Sequence, residues 1–74
     1  MKEYERLRRI RKKNSLSLEE VAKILGVTKE KMYSWETGEQ KMPTKYYVVL
    51  AKYYNLSLDY IVGLTNEAIA LKND

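Results

Sequence analysis

Between residues 28 and 38 the chain reads TKEKMYSWETG. Wound as a helix, this stretch puts Lys29, Glu30, Tyr33, Ser34 and Thr37 on one face with Lys31 at the flank, and Met32 and Trp35 on the other as an apolar stripe. The outward set offers ammonium, carboxylate, phenol and hydroxyl groups, which donate and accept hydrogen bonds in a groove. It offers nothing for catalysis. The chain contains no histidine and no cysteine, which removes the commonest general base, the commonest metal ligand and every thiolate or disulfide. No carboxylate cluster falls on one predicted face, so no nucleophile–base pair can be named and neither cofactor nor metal is expected. The sequence reads as non-enzymatic.

A reading face needs a helix held firmly by its back, and the flanking sequence supplies the means. Ser17-Leu18-Glu19-Glu20 has the form of a capping box, with Ser17 as N-cap and Glu20 reaching back to it. Val21, Ala22, Ile24 and Leu25 follow at helical spacing, and Gly26 stops that helix. Thr28 caps the next, expected over about Lys29 to Thr37 and ended by Gly38. Only Gly26-Val27-Thr28 separate the two helices, so they meet at a steep angle as a helix-turn-helix. Ala22 is small where the neighbour comes close, Gly26 takes the positive φ of a tight turn, and Val27 plugs the corner. Met32 and Trp35 then face Val21 and Leu25.

Three further helices complete the reading, and no period-two alternation is long enough for a strand. Tyr4, Leu7, Ile10 and Arg11 share one face of a first helix that ends at KKNS, with Asn14 expected in the left-handed conformation. GEQKMP reads as a polar loop. Pro43 and Thr44 open a fourth helix with Tyr47, Leu50, Ala51 and Tyr54 inward. Ser57 caps a short fifth helix carrying Leu58, Ile61 and Val62, closed by Gly63. The run LTNEAIALKND adds at most a further turn, with Ala68, Ile69 and Leu71 as its apolar content. The expected fold is therefore all-α: five helices in one domain over residues 1–65, with a short tail over 66–74.

Charge separates the N-terminal segment from the rest. Residues 1–13 hold seven cations against two anions, +5 in a chain whose total is +4, so the remainder sums to −1. Such asymmetry points to a polyanion, either nucleic acid or a membrane surface, or to a basic face that is merely solvated. The first helix is barely three turns long and its apolar face is needed by the core, which argues against the membrane. No run approaches the ~18 apolar residues of a spanning helix and no signal-peptide core is present, so a soluble, cytoplasmic chain is expected.

From Leu7 to about Leu64 the chain resembles the lambda-repressor-like, Xre-type helix-turn-helix DNA-binding domain. The likeness rests on RLRRIRKKNSLSLEEVAKILGVTKEKMYSWETGEQKMP and LAKYYNLSLDYIVGL, with LSxEEVAxxLGVT, WExG and LSLDYI at family separations. It implies that the third helix enters the major groove of double-stranded DNA, with Lys29, Glu30, Lys31, Tyr33 and Ser34 as candidates for base contact. It implies phosphate contacts from the start of the second helix through Ser17 and from the loop through Gln40 and Lys41. The basic first helix adds Arg9 and Arg11 as phosphate candidates, and Thr28 and Thr37 are candidates at the two ends of the third helix. The resemblance also implies that Arg11 and Glu36 pair to tie the first helix to the third. Leu58 and Tyr60 on the fifth helix stand where family members meet a second copy, and a homodimer on DNA follows.

Two positions depart from the family. Leu18 stands where glutamine is frequent and cannot hydrogen-bond to phosphate. Glu30 puts a carboxylate near phosphates, either to accept from a cytosine amino group or to repel unwanted sites. Tyr33 either reads or lies over the apolar rim. The expected function is a sequence-specific bacterial or phage transcriptional regulator, a repressor of a near-palindromic operator, since the length leaves no room for an activating or ligand-sensing domain. The alternative is a protein-binding module such as the antitoxin of a toxin–antitoxin pair, with the toxin contacting the tail after Gly63.

Overall fold

The structure, a computed structural model, describes residues 2–63. Five helices follow in order: α1 Glu3–Lys13, α2 Leu18–Leu25, α3 Lys29–Glu36, α4 Thr44–Tyr54 and α5 Leu58–Ile61. The domain end at 65, the tail over 66–74 with Ala68, Ile69 and Leu71, and the tail contact of the antitoxin reading lie outside the described residues.

Three of the five helices, α2, α3 and α5, start on a side-chain cap. Ser17 and Glu20 make the reciprocal box: the Ser17 amide donates to Glu20 Oε1 at 2.9 Å and the Glu20 amide to Ser17 Oγ at 3.0 Å. Hydrogen bonding from the Ser17 amide, and then from its hydroxyl, holds the Glu20 carboxyl below the usual carboxylate range. Thr28 Oγ1 accepts from the Lys31 amide at 3.1 Å and Ser57 Oγ from the Tyr60 amide at 3.2 Å. Pro43 precedes α4 as its N-cap, one position outside the helix it was expected to open with Thr44.

The first helix ends differently from expectation. Asn14 keeps φ at −93° and its side-chain amide donates to the Ile10 carbonyl at 2.8 Å, while Ser15 takes the left-handed turn at φ +57°. The Ser15 amide then reaches Lys12 O and the Leu16 amide Arg11 O, at 3.0 and 3.1 Å, closing a Schellman ending one residue later. α3 likewise stops at Glu36, and Thr37 is its C-cap.

α2 and α3 pack together, α1 packs on α3 and α5, and α4 covers α2 and α5. Between them lies one core of Leu7, Ile10, Val21, Ala22, Met32, Trp35, Met42, Tyr47, Leu50, Ala51 and Ile61. Tyr46 of α4 packs its ring on the Trp35 indole, centroids 4.9 Å apart. The four α4 tyrosines divide as helical geometry demands, with Tyr47 buried and Tyr53 exposed. Two buried residues correct the sequence reading. Met42 lies in the loop read as wholly polar yet is 3 % exposed. Arg6, one of the N-terminal cations, is 5 % exposed, donates from Nη1 to the Tyr60 carbonyl at 2.8 Å and stacks over the Tyr60 ring at 4.5 Å. No helix among the described residues is long and apolar enough to cross a membrane.

Candidate nucleic-acid interface

The back of α3 is fixed by three side chains. Met32 is 1 % and Trp35 3 % exposed, and Glu36 turns inward at 5 % to receive Arg11 Nε at 2.8 Å. Arg11 also donates from Nη1 to the Leu16 carbonyl at 2.8 Å. Its guanidinium is thus engaged inside the fold, while the side chain also borders the groove between α1 and α3. Gly26 takes φ +72° at the corner of the two helices, and Ala22 is buried at their contact.

The front of α3 is polar and open. Lys29, Glu30, Lys31, Tyr33 and Thr37 are exposed, and Tyr33 shows more than half of its surface. Lys29 Nζ lies 3.4 Å from Glu19 Oε1, both side chains being largely in water, so the pair contributes little. Ser34 departs from the expected pattern. It is only 9 % exposed because the loop after α3 folds over it: the Gln40 amide donates to Ser34 O at 3.1 Å, and Ser34 Oγ donates to Lys31 O at 2.7 Å. Gln40, a phosphate candidate in the sequence, places its Oε1 3.0 Å from Lys31 Nζ. Thr37 Oγ1 donates to Ser34 O at 3.3 Å.

Two grooves border this face. One runs between α1 and α3, lined by Tyr4, Arg8, Arg9, Lys12, Leu18 and Tyr33. The other lies on the opposite side of α3, lined by Val27, Thr28, Glu30, Lys31, Ser34 and Gln40. Lys41 is exposed further along the loop, where it borders a third, smaller pocket with Glu3, Tyr4 and Gln40. Arg8, Arg9 and Lys12 are exposed cations on the first groove; Arg8 and Lys12 were missed in the sequence, where only the packing of α1 on α3 reveals which side of a basic helix faces the reading helix. At α2, the capping box satisfies the Ser17 and Glu20 amides and the Val21 amide reaches Ser17 O at 3.2 Å, while the first-turn amides of Leu18 and Glu19 point out of the helix start as donors. Leu18 sits in the first groove as an apolar wall. The candidate dimer residues Leu58 and Tyr60 are half-buried against the core, and Tyr60 is held there by Arg6.

A helix-turn-helix domain family model matches residues 5–60 of the 74. The chain is 38 % identical over 63 residues to an uncharacterised HTH-type transcriptional regulator of Bacillus subtilis (strain 168), YobD, covering 85 % of this chain and 56 % of that protein. It superposes with TM-score 0.79 and 29 % identity on the crystal structure of a transcriptional regulator from Listeria innocua, covering 99 % of this chain and 65 % of the other. The chain therefore spans a little over half the length of the first relative and under two thirds of the second. Both relatives carry the description of transcriptional regulators, in agreement with a sequence that provides for recognition without catalysis. By the extent of the family match and the order of its five helices, this chain belongs to the helix-turn-helix domain family.

Proposed function

We propose that this chain is a cytoplasmic transcriptional regulator that binds double-stranded DNA sequence-specifically, with α3 in the major groove. The observation that supports this best is a helix pinned by Met32, Trp35 and Glu36 whose polar front stands between two cation-bearing grooves. In a duplex, Lys29, Glu30, Lys31 and Tyr33 face base edges, and the cations on either side reach the two phosphate strands bordering the groove. Arg8, Arg9 and Lys12 serve one strand with the first-turn amides of α2; Lys41 and Gln40 serve the other. Ser34 takes part through its hold on Lys31 and Gln40. Leu58 and Tyr60 on α5 form the contact with a second copy, so that two copies read half-sites about one helical turn apart in a near-palindromic operator. Occupying a promoter in this way represses it.

Selection of bound duplexes from a random library at two salt concentrations tests the proposal. The expected result is an enriched two-fold-symmetric motif whose retention falls steeply with salt, because each phosphate contact releases counterions. Retention without a motif would reduce the protein to a backbone binder. No retention at either salt would reject DNA as its ligand.

A further inference from the structure

Gln40 lies just beyond α3, and its backbone is fixed before its side chain is considered, since its amide donates to Ser34 O at 3.1 Å. From that anchored position Oε1 lies 3.0 Å from Lys31 Nζ and 3.3 Å from Ser34 Oγ. Chemistry decides which way the amide points. An ammonium has donors only, so the carbonyl must face Lys31; the flipped amide would set donor against donor. Ser34 has one proton, which goes to the nearer Lys31 carbonyl at 2.7 Å and locks the serine into the same small network. Lys31 is therefore tied at its backbone by Thr28 and Ser34 and at its tip by Gln40. An untethered surface lysine is a flexible point charge able to settle on any nearby phosphate.

We propose that Gln40 is a specificity-determining positioning residue: its carbonyl, 3.0 Å from Lys31 Nζ, holds that ammonium at the loop edge of α3 and aims its remaining donors at one base. The inference rests on the DNA-reading assignment above. One of the three ammonium donors goes to Gln40, and two stay available for a base edge. Guanine is the base that presents two neighbouring acceptors, N7 and O6, in the major groove, so Lys31 selects a G·C pair. The Gln40 NH2 group, turned away from Lys31, remains able to donate to the adjacent phosphate.

The test uses the full chain, its selected duplex and a panel of duplexes each changed at one base pair. Lys31→Ala identifies the pair that Lys31 reads. Gln40→Met keeps the length of the side chain and removes the acceptor; it is expected to lower discrimination at that same pair on the order of fivefold, leaving the other pairs unchanged. The double variant is expected to lose no more than Lys31→Ala alone. Gln40→Glu retains acceptor oxygens, so it keeps the discrimination while weakening binding to every duplex by its added charge. Thermal melts of the variants confirm folding, since Gln40 is exposed. Should Gln40→Met leave discrimination at that pair unchanged, whether it weakens all duplexes by one common factor or changes nothing, the positioning role is wrong. If the unaltered protein selects no motif, the DNA reading itself fails and takes this inference with it.

Discussion

Arg11 on α1 and Glu36 on α3 meet through a 2.8 Å Nε–Oε2 contact in which the carboxylate is 3 % and the guanidinium 12 % exposed. The same guanidinium accepts no further freedom, because Nη1 caps the Leu16 carbonyl at the loop leading to α2. One side chain thus joins α1, the entry to α2 and the end of α3, and sets how the reading helix is presented. Glu36→Ala leaves a cation with little water and no counter-charge, a situation that costs about 3 kcal/mol. For a domain of this size the melting temperature should fall by about 10–25 °C, read by circular dichroism. Replacing both residues with methionine should recover much of the loss; a single variant that melts like the original would contradict the role given to the pair.

Two glycines separate backbone strain from collision. Gly26 sits at φ +72° with nothing within 4 Å of where a Cβ would stand, whereas at Gly38, φ +81°, that atom would lie 2.7 Å from the Tyr4 ring. Gly26→Ala should cost about 1 kcal/mol, the ordinary charge for a left-handed alanine. Gly38→Ala should cost about 2 kcal/mol, because Tyr4 must also swing off the last turn of α3. Urea titrations measure both, and Tyr4→Leu in the Gly38→Ala background should return the excess. Equal costs at the two sites would show that Tyr4 is not packed as described.

Alkali should weaken the fold through Tyr54, whose hydroxyl burial, together with the Glu36 carboxylate, pushes it up to about 12. Burial raises Tyr47 as well. A tyrosine raised in the folded state binds its proton more tightly there than in the unfolded chain. Its contribution is complete below about pH 10 and is lost as pH rises toward 12. Discounted for the part of Tyr54 that water still screens, the loss is about 1–2 kcal/mol. Melting curves at pH 9 to 12 should show the decline, and Tyr54→Phe should flatten it; an unchanged slope in that variant would place the titration elsewhere.

Loop and helix charges should differ in what they control. Lys41→Ala is expected to weaken binding to every duplex alike and to lower the salt slope by about one. Glu30→Gln removes a carboxylate from the phosphate environment, so overall affinity should rise while preference shifts at one base pair. Titrations on a panel of duplexes distinguish the two patterns. Uniform effects from both variants would mean that Glu30 faces no base.

What the sequence made legible was whatever depends on neighbours along the chain. The Ser17–Glu20 box, the Thr28 and Ser57 caps and the inward pair Met32 and Trp35 all follow from spacings of three or four residues. What it hid depends on distant partners. Arg6 is indistinguishable from the other basic residues until α5 brings the Tyr60 carbonyl, 54 residues away, over it. Met42 looks like part of a polar loop because only the tertiary fold returns that loop to the core. Ser34 lies on the outer face by helical geometry and is covered only because Gln40 folds back on it. Asn14 and Ser15 show the finest limit: both residues suit a helix end, and the Ile10 carbonyl that claims the Asn14 amide decides which one turns left-handed.

Methylation of a bound duplex by dimethyl sulfate reports whether α3 lies in the major groove. The reagent attacks guanine N7, which faces the major groove, and adenine N3, which faces the minor groove. With α3 in the major groove, N7 of guanines in each half-site is protected, adenine N3 there reacts as in free DNA, and Lys31→Ala exposes one guanine again. Protection confined to adenine N3, or no protection of either atom in a saturated complex, would contradict that placement.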